Sequence, residues 1–207
     1  MFSGLHRPRL LRGAYLDAPV RAPVIRTARL VLRPHRMEDA DAWLAIEAEP
    51  SIRRNLHWPE RNRHHALAHL RDRTRHTVLQ QSGDFLALAV ELDGEVIGDI
   101  SVHLRTVAPE TRSAEMGWLE LSRFGGHGYA TEAAEGMLGF IFGALGAHWV
   151  TAVIDEENPR SMALAERLGF RCVAQTGASL TFLLTRSVDA FCPFERSQQG
   201  QMRQLSD

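Results

Sequence analysis

A glycine-rich loop between a strand-like run and a helical pattern is the feature that most constrains the fold of this chain. The run SAEMGWLEL is typical of a β-strand, RFGGHG concentrates three glycines, and apolar residues recur at helical spacing from Thr131 to Leu145. Glycine costs backbone entropy to order, so three together indicate unusual conformations or a close approach to a ligand. A strand, a glycine-rich turn and a helix N-terminus form an anion site, because free N–H groups and the helix dipole converge there.

Two common nucleotide-binding loops do not fit this segment. A Walker loop requires a lysine, and the 24 Lys and Arg residues of the chain are all Arg. A Rossmann loop requires a third glycine three residues after Gly128, where Thr131 stands. The spacing that does match is R-x-x-G-x-G/A, formed by Arg123, Gly126 and Gly128.

The rest of the chain alternates short strand-like runs with helical patterns. ARLVLRP predicts a strand ended by Pro34, MEDADAWLAIEAE a helix stopped by Pro50, and a polar second helical region runs from about Glu60 to Gln80. FLALAVEL and EVIGDISVHL flank Asp93-Gly94, which predicts a hairpin. HWVTAVI predicts a further strand, and NPRSMALAERLGF predicts a capped helix. Two final strands follow. The order β-α-α-β-β-β-α-β-α-β-β predicts an α/β or α+β domain with a mixed sheet.

The composition limits the number of domains and the kinds of partner that this chain can have. A chain of 207 residues, 44% of them hydrophobic, predicts one core. Residues 1–24, rich in Arg, Pro and Gly, predict a flexible extension, residues 25–192 a single domain, and residues 193–207 a polar tail. The net charge of −1 argues against a nucleic-acid partner, and no apolar run suits a membrane. Cys172 and Cys192 do not suit a metal site or a disulfide framework, so we expect a cytoplasmic protein without metal.

Four motifs resemble those of the GNAT (Gcn5-related) N-acetyltransferases, in particular the RimJ/RimL-type branch. T-x-R-L-x-L-R-P lies at residues 27–34, E-M-G-W at 115–118, G-H-G-Y-A-T-E-A at 126–133 and N-x-x-S-x-x-L-x-E-x-L-G-F at 158–170. Any one of them would be a weak signal, but four in this order are specific, and the resemblance covers about residues 25–192. It implies a mixed, mostly antiparallel sheet, splayed between its fourth and fifth strands and flanked by about four helices.

The resemblance implies acetyl-CoA as co-substrate, with the pyrophosphate on the loop and the pantetheine arm between the splayed strands. Arg123 is expected to supply a cation at the mouth of the loop. Asn158 is expected to contact the pantetheine arm, although its alternative role as a helix N-cap is compatible with that. The residues implied to bind the cofactor are Trp118, Leu119, Glu120, Leu121, Arg123, Gly125, Gly126, His127, Gly128, Tyr129, Ala130 and Asn158.

Direct transfer to a primary amine requires an acid for the departing thiolate and a base for the amine proton. The resemblance implies that Ser161 is the acid, and the alternative is a helix serine satisfied locally. Glu115 is the candidate base, and the alternative is a cross-strand partner of an arginine. Some relatives carry a catalytic Glu where this chain has residues 155–157, so the base stays open. A tyrosine acid is excluded, because Tyr15 and Tyr129 both precede the last helix.

The acceptor is the least determined part of the prediction. The resemblance implies that the stretch Arg53–His76, with seven Arg and five His, forms a wall of the acceptor pocket, with Trp58 lining it; the alternative is a solvated helix face. The acceptor is either a protein N-terminal amine, as for ribosomal-protein acetyltransferases, or a small-molecule amine such as a polyamine, an amino acid or an antibiotic. A third alternative is a non-catalytic acyl-CoA- or RNA-binding module. A homodimer is compatible with the sequence, which does not determine the oligomeric state.

Overall fold

The computed structural model describes residues 14–56 and 58–186, and within them ten strands and five helices follow one another. The strands are β1 Tyr15–Arg21, β2 Ile25–Arg26, β3 Leu30–Pro34, β4 Val78–Gln81, β5 Phe85–Leu92, β6 Glu95–Thr106, β7 Ser113–Glu120, β8 Trp149–Asp155, β9 Arg171–Thr176 and β10 Ser179–Thr185. The helices are α1 Ala40–Ala48, α2 Pro50–Leu56, α3 Arg63–Arg75, α4 Tyr129–Gly143 and α5 Pro159–Arg167.

Eight strands form one sheet in the order β2-β3-β5-β6-β7-β8-β10-β9, and β1 pairs with β4 in a separate two-stranded sheet. Within the large sheet β7 and β8 are parallel and every other neighbouring pair is antiparallel. The predicted mixed and mostly antiparallel sheet is therefore confirmed. Five helices flank it rather than about four.

Strands β7 and β8 pair only at their beginnings. The paired positions are Ser113 with Trp149, Ala114 with Val150 and Glu115 with Thr151. Beyond them β7 continues to Glu120 paired with β6 alone, and β8 continues to Asp155 paired with β10 alone. We call the divergence of residues 116–120 from residues 152–155 the fork. It lies between the two strands where the splay was predicted, and it leaves the backbone of β7 unpaired along one edge.

Local signals placed the turns and caps correctly. The hairpin between β5 and β6 turns at Asp93 and Gly94, whose φ values are 49° and 88°. These positive angles are typical of the tight turns that favour an Asp-Gly pair. Helix α5 begins after Asn158, whose side-chain oxygen accepts a hydrogen bond from the Ser161 N–H. It ends before Gly169, which has a φ of 88°.

Besides the two-residue β2, the sequence prediction missed two strands. Residues 15–21 form β1 inside the segment predicted to be a flexible extension, and β4 occupies residues 78–81, where the second helical region was expected to continue. Helix α3 ends at Arg75. The two strands pair with each other and bury Leu16 and Leu79, so each strand depends on a partner about sixty residues away in the chain. The polar tail, residues 193–207, and Cys192 lie outside the described residues.

The two faces of the large sheet carry different helices. A large apolar cluster lies between the sheet and helices α4 and α5, and a smaller one around Trp43, Ile46 and Leu70 lies under α1 and α3. Buried charged side chains accompany the smaller cluster, among them His35 and Asp99. No helix within residues 14–56 and 58–186 combines the length and the apolar character that crossing a membrane requires.

Candidate active site

The loop between β7 and α4 presents a group of free backbone amides. Gly126 and Gly128 adopt left-handed conformations, with φ values of 85° and 79°, and both are exposed. Within the described part of the chain, no acceptor is found for the N–H groups of residues 126–129. A Cβ added at Gly126 would meet no atom within 4 Å, so the loop faces open space. We call these four N–H groups the amide cradle; their number and exposure suit an anion such as a diphosphate.

Three backbone groups assigned to the cofactor from the sequence are already engaged. The Leu121 N–H donates to the Ile97 carbonyl at 2.9 Å, which extends the pairing of β7 with β6 by one residue. The Gly125 N–H donates to the Ser122 carbonyl at 3.1 Å within a short 3-10 turn. The Ala130 N–H lies close enough to the Glu120 carboxyl group to stabilise its charge. The cradle is therefore shorter than the predicted span from Gly125 to Ala130.

The Glu120 side chain lies at the start of helix α4. Gly128, at the N-cap position, has no side chain to cap the helix, and the carboxyl group of Glu120, on β7, lies near the Ala130 N–H. Its Oε1 atom is buried without a hydrogen-bond partner among the described residues. Burial raises the pKa of the Glu120 carboxyl group above its usual range, although the Ala130 N–H and the charges of His127 and Arg160 oppose the rise.

Arg123, the predicted cation, contacts side chains of the protein itself. It forms an ion pair with Glu95 at 2.7 Å, and its guanidinium lies over the Phe124 ring. Arg160, at the second position of α5, lies close to Gly125: its Nη1 atom is 3.9 Å from where a glycine Cβ would stand. No carboxylate in the described residues forms an ion pair with Arg160. Within the part of the chain that the structure describes, Arg160 is thus a positive charge without an ion-pair partner close to the loop, and the sequence did not single it out.

Ser161 and Trp118 meet across the fork. The indole Nε1 of Trp118, on β7, donates to Oγ of Ser161, on α5, at 3.3 Å. Asn158 caps the same helix through its side-chain oxygen, which leaves its amide N–H₂ group available. Because the indole uses an acceptor site of the Ser161 hydroxyl, the O–H remains able to donate to another group. The predicted acid therefore stands beside the fork with a free donor.

Glu115 occupies the last paired position before the fork. Its Oε2 accepts hydrogen bonds from Arg105 at 2.7 and 3.2 Å, so the predicted arginine partner is real. Its Oε1 has no hydrogen bond to any described residue. Side chains alternate along a strand, so Glu115 and Trp118 lie on opposite faces of the sheet. The Trp118 face carries α4 and α5, and the face of Glu115 and Leu119 carries α1 and α3.

The Arg- and His-rich stretch is only partly neutralised inside the protein. Four of its seven arginines, Arg54, Arg63, Arg71 and Arg75, are exposed. Buried Glu47 accepts hydrogen bonds from His69 at 2.6 Å and from Arg61 at 2.9 Å. Burial works against the Glu47 charge, but these two partners outweigh it and lower the pKa of Glu47. Arg73 lies over the Trp43 ring and 3.5 Å from Asp99. Several cations of this stretch are therefore neutralised inside the protein.

Trp58 lies among these groups rather than in a separate pocket. It is partly buried and packs against the smaller apolar cluster, with the His69 ring 5.1 Å away and the Arg61 guanidinium 5.1 Å from its ring centre. Its role in lining an acceptor pocket stays a prediction.

Residues 29–171 match the family model described as an acetyltransferase (GNAT) domain. A curated relative, the uncharacterized N-acetyltransferase YoaA of Bacillus subtilis, is 26% identical over 160 residues, which span 72% of this chain and 83% of the relative. RimJ of Mycobacterium smegmatis, solved in complex with CoA-disulfide, is 28% identical with a TM-score of 0.60 over 81% of this chain and 87% of its own. RimL, a ribosomal L7/L12 alpha-N-protein acetyltransferase solved with coenzyme A, shares the fold at 15% identity, with a TM-score of 0.64 over 79% of this chain and 98% of its own.

Proposed function

The chain belongs to the GNAT acetyltransferase family, and from this premise we propose that it moves the acetyl group of acetyl-CoA directly to the α-amino group of a protein N-terminus. The observation that carries the proposal is the fork between β7 and β8, with the amide cradle at its open end and Ser161 beside it. A small-molecule amine is the alternative acceptor, and the experiment below separates the two.

Residues of the fork and the cradle fit the two ends of acetyl-CoA. The N–H groups of residues 126–129 have the number and the exposure that a diphosphate requires, and Arg160 adds positive charge. The unpaired edge of β7 beyond Glu115 can pair with an extended chain of amides such as pantetheine, as a sheet edge pairs with an added strand. When bound, acetyl-CoA supplies an acetyl group already activated as a thioester.

Ser161 acts as the acid in the proposed reaction. Its hydroxyl accepts a hydrogen bond from Trp118, which fixes its orientation, and its own proton is free to stabilise a departing thiolate. Glu115 acts as the base on the other face of the sheet. Arg105 holds one oxygen of its carboxylate, and the other oxygen can take the amine proton, directly or through a water molecule.

Two observations support a protein N-terminus as the acceptor: the likeness to RimJ and RimL, and the pairing of two arginines, Arg61 and Arg73. The motifs are of RimJ/RimL type, and solved RimJ and RimL share the fold. The pairing of Arg61 and Arg73 with Glu47 and Asp99 neutralises two of the arginines that would have favoured a strongly anionic acceptor.

Two measurements test the proposal. Isothermal titration with acetyl-CoA is expected to show binding by the wild-type protein and at least about tenfold weaker binding by Gly126→Glu, because the new side chain enters the cradle and repels the diphosphate. Gly143→Glu, at an exposed position at the other end of α4 with the same change of charge, is the matched control. No heat from the wild-type protein at millimolar acetyl-CoA would refute the proposal.

The acceptor is tested by release of the coenzyme A thiol with a panel of N-terminal peptides and a panel of metabolite amines. Turnover of peptides is expected, and turnover of small amines alone would replace the acceptor in the proposal. Binding of acetyl-CoA without acetylation of any amine would indicate the third alternative, a binding module. In that case RNA binding that falls steeply with salt would be measured next.

A further inference from the structure

Arg29 contacts the back of the cofactor loop, although it lies about a hundred residues away in the chain. Its Nη1 donates to the His127 carbonyl at 3.0 Å, and its guanidinium lies 4.5 Å from the centre of the Tyr129 ring. Its Nη2 is 3.6 Å from where a Cβ on Gly128 would stand. One side chain thus touches three consecutive residues of the amide cradle.

Glu132, in the first turn of α4, holds Arg29 in this position. Its carboxylate accepts hydrogen bonds from the Arg29 backbone N–H and from Arg29 Nε, both at 2.7 Å, and from the Thr27 hydroxyl at 2.6 Å. Burial opposes the charge of Glu132, but the hydrogen bonds from Thr27 and Arg29 outweigh it and lower the pKa of Glu132. The carboxylate is therefore ionised at neutral pH and keeps the arginine in a fixed geometry.

The geometry of a trans peptide links this contact to the cradle. The carbonyl of one residue and the N–H of the next point in opposite directions from a planar peptide unit. Since Arg29 binds the His127 carbonyl, the N–H of Gly128 must point to the opposite side. That N–H finds no acceptor among the described residues, and Gly128 is exposed. A glycine has few steric restraints on its own peptide orientation, so an outside restraint is needed to fix it.

We propose that Arg29 is a positioning residue for the cofactor: it fixes the His127–Gly128 peptide so that the Gly128 N–H points at the diphosphate, and Glu132 with Thr27 fixes Arg29. The inference rests on the proposed function, because it assumes that acetyl-CoA occupies the cradle. It gives a physical reason why the motif around Thr27 and the motif around Glu132 occur in one chain. Each motif supplies one half of a single contact.

The variant Glu132→Gln separates positioning from simple charge attraction. This change removes a negative charge near the diphosphate, so attraction alone predicts tighter binding of coenzyme A. Positioning predicts weaker binding, because a neutral amide holds Arg29 less firmly. Arg29→Gln is expected to weaken coenzyme A binding about tenfold or more, the equivalent of one hydrogen bond to a charged group. Arg26→Gln, an exposed arginine on β2 with the same change of charge, is the matched control.

Titration of coenzyme A is paired with turnover of S-acetylpantetheine, which lacks the diphosphate. Both variants are expected to lose affinity for coenzyme A and to keep their kcat/KM with S-acetylpantetheine, which also shows that they fold. Unchanged or tighter coenzyme A binding by Glu132→Gln, or unchanged binding by Arg29→Gln, would overturn the positioning role while the proposed function stands. A wild-type protein that binds no coenzyme A would overturn both.

Discussion

The indole Nε1 of Trp118 lies 3.3 Å from Oγ of Ser161, and this hydrogen bond links one strand of the fork to the helix that follows the other strand. Trp118 belongs to β7, and Ser161 belongs to the helix that follows β8. Their contact brings together two sequence motifs that are 43 residues apart. It also orients the one hydroxyl that the proposed reaction uses as an acid.

Replacing Ser161 with Ala is expected to lower kcat about a hundredfold, the usual effect of losing a general acid, with little change in the affinity for acetyl-CoA. Trp118→Phe keeps an aromatic ring but loses the donor, so it is expected to lower kcat by a smaller factor. Steady-state kinetics with varied acetyl-CoA measure both. A kcat for Ser161→Ala equal to that of the wild-type protein would assign the serine to helix structure alone.

Glu115→Gln is expected to lower kcat about a hundredfold, because the amide cannot take the amine proton. Glu110→Gln changes the charge in the same way at an exposed position in the turn before β7 and is expected to have no effect. The pH dependence of kcat provides a second measurement. Raising the pH deprotonates the amine without help, so the deficit of Glu115→Gln should shrink in alkaline buffer. A deficit that does not change with pH would indicate that Glu115 only pairs with Arg105.

Asn158 has two candidate roles, and two substitutions distinguish them. Asn158→Ala is expected to lower the free energy of unfolding by about 1 kcal/mol, because α5 loses its N-cap. Asn158→Asp keeps the cap, since a carboxylate also accepts the Ser161 N–H, but it has no amide N–H₂ group to donate to pantetheine. If Asn158 contacts the cofactor, the Asp variant remains stable and has a raised KM for acetyl-CoA. An unchanged KM would leave only the cap.

His35 is expected to make stability depend on pH in the neutral range. Burial opposes its charge, but Asp99 at 2.8 Å and Asp39 at 3.7 Å outweigh both burial and nearby Arg73, and they raise the pKa of His35 above 6.5. Because the pKa of His35 is higher in the folded protein, protonated His35 adds to the free energy of unfolding. This stabilisation is complete below pH 6.5 and is lost as the pH rises through the folded-state pKa.

Urea unfolding at about pH 6 and about pH 9 measures this effect. The wild-type protein is expected to lose more free energy of unfolding between the two conditions than His35→Gln does. His64→Gln, at an exposed position, is the control and should behave as the wild type. Equal losses in the wild-type protein and in His35→Gln would show that His35 has the same pKa when folded and unfolded.

Glu120→Gln is expected to stabilise the protein at neutral pH. The pKa of Glu120 is raised by burial, so its contribution to stability is complete below the ordinary value of 4.5 and is lost as the pH rises through the folded-state pKa. The neutral amide oxygen can still lie beside the Ala130 N–H, and the variant avoids that loss. Thermal unfolding over a range of pH should therefore show an advantage over the wild type that disappears towards acid. The exposed Glu135→Gln on the same helix is the control.

Much of the site could be predicted from the sequence, because several of its parts depend only on residues that are neighbours in the chain. The left-handed glycines, the N-cap at Asn158 and the turn at Asp93 follow from residue types and their immediate neighbours. The mixed sheet followed from hairpins alternating with crossovers, and the place of the fork from the resemblance of the motifs. The strand β1 escaped prediction because its partner β4 is distant and its own pattern is weak.

The sequence by itself determined where a strand, a glycine-rich loop and a helix follow one another, since turn conformation and helix capping depend on adjacent residues. Only the tertiary structure decided which side chains surround that loop. It turned Arg123 towards Glu95, placed Arg160 beside Gly125 and directed Glu120 to the start of α4. It also joined Arg29 to Glu132 across the molecule. Such pairs depend on how the strands align and how the helices lie on the sheet, and those relationships join residues that are far apart in one chain.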